Sequence, residues 1–135
     1  MITAIDTNVL IDIVGGDPLF GDASRMAIDA AAREGRLVVS PEVVAEFTTG
    51  CGSAKVAFDV LDILKVSYVD TGLPAAGRAG EARARHRARS RITADYLIAA
   101  HAVDHADRLL TRDADFTDLG IEGLTVVSPS EMVSA

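Results

Sequence analysis

A chain of 135 residues, 49% of them hydrophobic, has enough apolar content for a packed core, which excludes a disordered protein. Its single cysteine, Cys51, excludes an intrachain disulfide, and no apolar run approaches the roughly 20 residues of a membrane-spanning helix. The net charge of −7 argues against a simple electrostatic nucleic-acid binder. Since no signal-peptide pattern is present, we expect one cytoplasmic domain over residues 1–135, without a membrane contact.

The predicted elements alternate between strands and helices along the chain. Short apolar runs predict strands at Ile2–Ile5, Leu37–Val39, Val66–Val69, Arg108–Thr111 and Leu124–Val127. Periodicity and caps predict helices over Thr7–Val14, Ala23–Arg33, Pro41 to about Thr49, Ala54–Leu64, the first part of Pro74–Arg89 and Thr93 to about Ala106, with a final turn after Ser128. This alternation is typical of a three-layer α/β protein, in which helices cover both faces of a parallel sheet of about five strands.

Helix caps and apolar stripes add local detail. Ser40 precedes a proline at the first helical position, and Ser128 and Glu131 have the spacing of a capping box. Gly50-Cys51-Gly52 is expected to close the helix that Ser40 begins. The helix over Ala54–Leu64 is predicted to be amphipathic, with an apolar stripe of Val56, Val60, Ile63 and Leu64. Phe47, Phe58 and Phe116 are predicted to lie in the core.

Four acidic residues lie at predicted strand ends or on the helices that follow them. Asp6 follows the first strand, in TAIDTNVLID, and Asp113 follows the fourth, in LLTRDADF. Asp95 lies in the first turn of the helix in ITADYLIAA, and Glu46 lies on the helix of SPEVVAEF. Ligands of parallel sheets bind beyond the carboxyl ends of the strands, so we expect these carboxylates to converge there.

Converging carboxylates repel one another unless a cation lies between them, and Mg²⁺ or Mn²⁺ prefers oxygen ligands of this kind. Asp6 and Asp113 are candidates to hold the ion directly, and Asp95 to hold the ion or one of its waters. Glu46 would bind a second ion or orient the attacking water. Such a site suits cleavage of a phosphodiester. Candidates to hydrogen-bond the carboxylates or the phosphate are Thr7, Asn8 and Thr111.

The four motifs DTNVLID, VVAEF, ITADYLIAAHA and LLTRDADF resemble, in order and approximate spacing, the acidic motifs of the PIN domain. The resemblance extends from Ile2 to about Val127, and the small size is similar to that of the VapC toxins of bacterial toxin–antitoxin pairs. It implies an Mg²⁺- or Mn²⁺-dependent ribonuclease, commonly a homodimer, that a partner antitoxin silences. The catalytic residues that it implies are Asp6, Glu46, Asp95 and Asp113, with Asp115, ranked above Asp118, as an auxiliary metal ligand.

An arginine-rich stretch precedes Asp95. Six of the thirteen basic residues lie in it, namely Arg78, Arg83, Arg85, Arg87, Arg89 and Arg91. The stretch either binds RNA phosphates or docks an acidic antitoxin segment, and a solvated helix is the alternative without a function. The predicted contacts to RNA or antitoxin are Arg85, Arg87, Arg89, Arg91 and Tyr96.

Several of these residues also have structural interpretations. Asp6 could cap the helix that begins at Thr7. His101 and His105 have a spacing that can hold zinc, but packing or partner contact is favoured. Arg112 is expected to point away from Asp113, because adjacent strand residues face opposite sides.

At the level of function, the alternative to a ribonuclease is a catalytically inactive PIN-like module that binds RNA or protein. Another Mg²⁺-dependent phosphoryl enzyme is disfavoured, since the DxD pair of phosphatases and a lysine after Thr111 are both missing.

Overall fold

The computed structural model describes residues 1–86 and 93–134. Five parallel strands form one sheet in the order β3-β2-β1-β4-β5. The chain extends the sheet from β1 through β2 to β3 and then returns to the other side of β1 for β4. Ligands of α/β proteins bind at such a reversal, which here lies between β1 and β4. The strands are β1 (Thr3–Ile5), β2 (Leu37–Val39), β3 (Val66–Tyr68), β4 (Arg108–Leu110) and β5 (Val126–Val127).

Helices cover both faces of this sheet, since every residue of β1 and β2 is buried. The described residues form α1 (Thr7–Val14), α2 (Gly21–Glu34), α3 (Pro41–Cys51), α4 (Ala54–Ile63), α5 (Leu73–Arg85), α6 (Thr93–His105) and α7 (Pro129–Ser134). A 3₁₀ helix, Ala114–Asp118, follows β4. Across the described ranges, no helix combines the length and apolar character that crossing a bilayer requires. The predicted α/β fold with a five-stranded parallel sheet is confirmed.

The predicted helix starts at Ser40 and Ser128 are confirmed by their hydrogen bonds. Ser40 Oγ accepts from the Val43 N–H at 3.2 Å. The Ser128 N–H donates to Glu131 Oε1 at 3.0 Å, and the Glu131 N–H donates to Ser128 Oγ at 3.2 Å, which completes a capping box. The end of α3 differs from the prediction, because the helix continues through Gly50 and Cys51. It ends at Gly52, whose φ of 76° suits a residue without a Cβ.

Gly50 permits a close approach of α3 to α1. A Cβ at this position would lie 2.3 Å from Ile11 Cδ1, so a larger residue would displace that side chain. The same pair of helices brings Glu46 on α3 beside Thr7 at the start of α1. Packing between these helices therefore places one of the predicted acidic residues near the carboxyl edge of the sheet.

The apolar stripe predicted for α4 is confirmed for two of its four residues, since Val60 and Leu64 are partly buried against the core. Val56 and Ile63 are exposed by 45% and 78%, whereas Ala57 and Leu61 are buried. This helix packs against α3 and against β3, an edge strand, so only a narrow face of it is covered. Most of its apolar side chains consequently remain near solvent.

The aromatic core predictions hold for two of three residues. Phe47 and Phe116 are buried, as predicted. Phe58 is 56% exposed, because it lies on α4 outside the narrow face that packs against the rest of the protein.

The amino end of the two central strands is tied together by hydrogen bonds and an ion pair. Arg108 Nε donates to Thr3 Oγ1 at 2.9 Å, and Arg108 Nη2 donates to Glu34 Oε2 at 2.5 Å. Asp107 Oδ2 accepts from the Ile2 N–H at 2.6 Å. Each carboxylate at this end thus has a specific donor.

Candidate active site

Asp6 lies at the carboxyl end of β1, at the point where the strand order reverses. Its N–H donates to the Leu110 carbonyl at 3.0 Å, which joins β1 to β4. Its Oδ1 accepts from the Thr7 N–H at 2.8 Å, so Asp6 is also the cap of α1. The residue is only 6% exposed. Capping therefore explains one carboxylate oxygen and leaves the role of the other open.

The second oxygen, Oδ2, accepts from two side chains that the sequence predicted around the carboxylates. Thr111 Oγ1 donates to it at 2.7 Å, and Asn8 Nδ2 lies at 3.2 Å. Asn8 Nδ2 also lies 3.2 Å from Thr111 Oγ1, and the Asp113 N–H donates to that hydroxyl oxygen at 3.0 Å. Thr111 thereby connects the two acidic residues that follow neighbouring strands.

A cleft of about 360 Å³ opens at this edge of the sheet. All four predicted acidic residues line it. Thr7 Oγ1 donates to Glu46 Oε1 at 2.7 Å across the gap between α1 and α3. Asp95 reaches the cleft from the first turn of α6, and Asp113 caps the 3₁₀ helix through the Asp115 N–H. The lining residues are Asp6, Thr7, Asn8, Ile11, Glu46, Asp95, Arg112, Asp113 and Phe116.

Burial, and to a smaller extent the acidic neighbours, raise the pKa of Asp6. Burial raises the pKa of Asp6 from 3.8 to about 6, against the hydrogen bonds from Thr111 and Thr7, which lower it. The negative charges of Glu46 and Asp95 raise the pKa further. An ionised Asp6 is therefore unfavourable here until positive charge enters the cleft.

The donor set fits a hard divalent cation. Carboxylate, hydroxyl and amide oxygens are the ligands that Mg²⁺ and Mn²⁺ prefer, and none of the described residues that line the cleft carries a thiol or an imidazole. Over residues 1–86 and 93–134, no three Asp, Glu, His or Cys side chains are already grouped closely enough to hold a metal. Mg²⁺ usually keeps several waters and contacts one or two carboxylates, so this open arrangement suits a hydrated ion.

The predicted auxiliary acids lie outside the cleft. Asp115 and Asp118 are both exposed and do not line it. The Asp115 backbone N–H donates to Asp113 Oδ1 at 3.0 Å, so its contribution comes from the main chain. The structure therefore does not place the Asp115 carboxylate among the candidate metal ligands.

The structure describes two of the five residues that were predicted to contact RNA or antitoxin. Arg85 is exposed in the last turn of α5, where Nη2 lies 3.5 Å from the Gly120 carbonyl and away from the cleft lining. Tyr96 is fully buried, so its side chain is unavailable for the predicted surface contact. Its hydroxyl has no hydrogen-bond partner among the residues that the structure describes. Arg87, Arg89 and Arg91 lie outside the described residues.

Sequence reasoning missed Arg112 and Asp12. Arg112 lines the cleft, contrary to the expectation that it points away, because β4 ends at Leu110 and strand alternation no longer applies. Asp12 is buried on α1 and pairs with Arg112 Nε at 2.7 Å. The available signal in the sequence was an acidic residue inside the apolar run VLIDIV, since a charge that becomes buried needs a partner.

The two histidines pack as predicted. His101 Nε2 lies 2.8 Å from the Val69 carbonyl, and His105 Nε2 lies 2.8 Å from the Thr71 carbonyl. Burial lowers the pKa of His101, although the hydrogen bond to Val69 partly opposes this shift. The pair therefore joins α6 to the segment after β3.

Comparison with known proteins identifies the class. The PIN domain family matches residues 3–122, and the chain belongs to that family. Among solved structures, a chain of VapBC2 from Rickettsia felis, determined with a promoter DNA fragment, has a TM-score of 0.75 at 23% identity, over 95% of this chain and 98% of that chain. VapBC-1 from nontypeable Haemophilus influenzae gives 0.72 at 20%, over 96% and 99% of the two chains.

VapC20 from Mycobacterium tuberculosis, a toxin that cleaves the sarcin–ricin loop, gives a TM-score of 0.68 at 17% identity, over 91% of this chain and 98% of that chain. No match was found among curated proteins. At these identities the structures show a common fold, so the fold resembles that of VapC-type toxins across nearly the whole chain.

Proposed function

We propose that this protein is a cytoplasmic, metal-dependent endoribonuclease that hydrolyses RNA phosphodiester bonds, and that it is the toxin of a toxin–antitoxin pair. The observation that carries the proposal is the convergence of Asp6, Glu46, Asp95 and Asp113 on one cleft at the strand-order reversal. Membership of the PIN domain family supports nuclease chemistry at this site.

The acidic residues would have two roles, since three of them would bind the cation and the fourth would orient the attacking water. Asp6, Asp95 and Asp113 would supply carboxylate oxygens to Mg²⁺ or Mn²⁺. When bound, such an ion lowers the pKa of a coordinated water and offsets negative charge on the reacting phosphate. Glu46, held by the Thr7 hydroxyl, would orient the attacking water and accept its proton.

Asn8 and Thr111 support this arrangement by fixing the Asp6 carboxylate. Both side chains lie within hydrogen-bond distance of Asp6 Oδ2. Hydrogen bonds from neighbouring groups commonly determine how a carboxylate presents its remaining lone pairs to a metal. The two residues therefore act as positioning residues for the site.

The proposed partners are an RNA substrate, an antitoxin and a second copy of the chain. The similar VapBC structures contain toxin with antitoxin, which supports the second of these.

We place RNA or antitoxin contact in the arginine-rich stretch, 78–91. Changing Arg85, Arg87 and Arg89 together to Ala should weaken RNA or antitoxin binding and leave metal affinity unchanged. Unchanged binding of both partners would identify the stretch as a solvated surface.

The direct test is RNA cleavage by purified protein, freed of any partner, with Mg²⁺ or Mn²⁺ and with excess chelator. We expect cleavage only with the metal. Equal activity in chelator would remove the metal from the proposal. RNA binding without cleavage under both conditions would support the inactive PIN-like binding module instead.

The toxin role needs a separate test in cells. Induced expression should arrest growth, and co-expression of a short open reading frame adjacent to the gene should relieve the arrest. Harmless expression of a protein that is active in vitro would separate the nuclease activity from the toxin role.

A further inference from the structure

We infer that Arg112 binds a phosphate oxygen of the RNA beside the acidic cleft, and that Asp12 positions the Arg112 guanidinium for this contact. The inference rests on the proposed ribonuclease function and adds the residue that would hold the substrate backbone.

The first observation is the pairing of Arg112 with a buried carboxylate. Arg112 Nε donates to Asp12 Oδ2 at 2.7 Å, and Arg112 Nη2 donates to Asp12 Oδ1 at 3.0 Å. The Asp12 side chain is 3% exposed, and its Oδ2 also accepts from Ser24 Oγ at 2.9 Å. A bidentate pair of this kind fixes both the position and the plane of the guanidinium.

Two further contacts hold Arg112 in place. The guanidinium carbon lies 4.1 Å from the centre of the Phe20 ring, a cation–π distance. The main-chain N–H of Arg112 donates to Asn8 Oδ1 at 3.2 Å, and Asn8 in turn contacts the Asp6 carboxylate. Arg112 is therefore connected on one side to the buried Asp12 and on the other to the candidate metal ligand.

The guanidinium retains donors for a ligand. It carries five N–H groups, and the two hydrogen bonds to Asp12 use two of them. The side chain is 32% exposed, and Arg112 lines both the acidic cleft and an adjoining cavity of about 210 Å³ that Phe20 and Ser24 also line. A planar donor fork with partial exposure matches the geometry of a phosphate oxygen pair better than an ammonium does.

The cleft also needs a cationic residue for substrate binding. Its lining includes four carboxylates, which repel a phosphodiester, and a divalent ion offsets only part of that charge. Among the described residues that line the cleft, Arg112 is the basic one. Asp12 neutralises the charge of Arg112 when the two side chains are taken together. A bound phosphate would nevertheless lie closer to the remaining N–H donors of Arg112 than to the buried oxygens of Asp12.

A purely structural ion pair is the alternative, and the salt dependence of RNA binding separates the two. The probe is a short fluorescein-labelled single-stranded RNA, with Ca²⁺ in place of Mg²⁺ and its integrity checked on a gel. In the test variant, Arg112→Gln is combined with Asp12→Asn, which keeps a neutral hydrogen-bonded pair and avoids a lone buried charge. The matched control combines Arg108→Gln with Glu34→Gln at the other end of β4. Thermal melting checks that each variant is folded.

We expect the test variant to bind RNA about 10-fold more weakly at low salt. The slope of log affinity against log salt should decrease in magnitude by about 0.7, the change expected when the protein neutralises one phosphate fewer on a single strand. The control variant should bind with the wild-type affinity and slope. Arg112→Lys should keep the slope, since it keeps the charge, but should bind RNA more weakly than the wild type.

Three results would overturn the inference. An unchanged slope in the test variant, with wild-type protein that binds and cleaves RNA, would leave Arg112 as a structural residue and the proposed function intact. Equal slope changes in test and control variants would attribute the effect to the loss of any surface ion pair, since neither variant changes the net charge. If the wild-type protein bound no RNA at all, both the inference and the proposed function would fall.

Discussion

The two ends of β1 and β4 carry similar side chains, but the charged side chains at the two ends are paired differently. At the amino end, Arg108 pairs with Glu34 and Thr3, and Asp107 accepts from a main-chain N–H. At the carboxyl end, four carboxylates line one cleft and burial raises the pKa of Asp6 to about 6. At the amino end, each of these charged side chains has a hydrogen-bond partner, which is the arrangement of a structural contact. The carboxyl end keeps an excess of negative charge, which is unfavourable for folding and useful for binding a cation.

The largest expected difference between the two ends is in catalysis. Asp6→Asn should lower RNA cleavage by roughly 10³-fold or more, because a metal's stabilisation of transition-state charge amounts to several kcal/mol. Asp107→Asn, which also alters a carboxylate bonded to a main-chain N–H, should leave cleavage near the wild-type rate. The measurement is the initial rate of cleavage in Mg²⁺. Similar losses in the two variants would show that the ends do not differ in function.

The next effect concerns stability against pH in the absence of metal. The folded-state pKa of Asp6 is about 6, above the unfolded value of 3.8, so its contribution to stability is fully present below about pH 3.8 and is lost as pH rises through 6. Above that pH, the ionised carboxylate costs up to about 3 kcal/mol. In chelator, Asp6→Asn should therefore unfold at higher denaturant concentration than the wild type at pH 7, with the gap closing towards pH 4.

Asp107→Asn is again the control and should show no such gain. Added Mg²⁺ should stabilise the wild type more than Asp6→Asn, since the variant lacks one of the proposed ligands. Parallel stability profiles for the wild type and Asp6→Asn across this pH range would contradict the assignment of the raised pKa.

The smallest effect that we predict is a difference in cleavage rate between a variant of Thr7 and a variant of Thr3. Thr7→Val removes the hydroxyl that donates to Glu46 and should lower cleavage about 10-fold, the usual effect of losing a supporting hydrogen bond in a metal site. Thr3→Val removes a buried hydroxyl that accepts from Arg108 at the amino end and should leave cleavage unchanged. Comparable rates for the two variants, measured under the same conditions, would show that Thr7 does not position Glu46.

Much of the fold could be predicted from local patterns. Alternating apolar runs and caps located the strands and helices within a few residues, because these signals lie in neighbouring side chains. Half of the α4 stripe failed for a tertiary reason. Val56 and Ile63 have helical spacing, but α4 packs near the sheet edge, where little of the helix can be covered.

The candidate site was predicted as a set of residues and not as a geometry. Asp6, Asp95 and Asp113 could be named, because strand ends and helix starts in a parallel sheet meet at one edge, and Glu46 could be named from the resemblance of its motif to that of the PIN domain. The roles of Tyr96 and Arg112 could not be assigned correctly. Burial of one and exposure of the other in the cleft depend on which elements pack around them.

By itself, the sequence determined the order of strands and helices, the caps that begin the helices, and which acidic residues lie at the carboxyl edge of the sheet. These features follow from interactions over a few residues. Only the tertiary structure decided that Asp6 is buried enough for its pKa to rise to about 6, that the Thr7 hydroxyl donates to Glu46, and that Asp12 pairs with Arg112 beside the cleft. Such contacts join side chains up to 100 residues apart, and their strength depends on how much water the surrounding packing excludes.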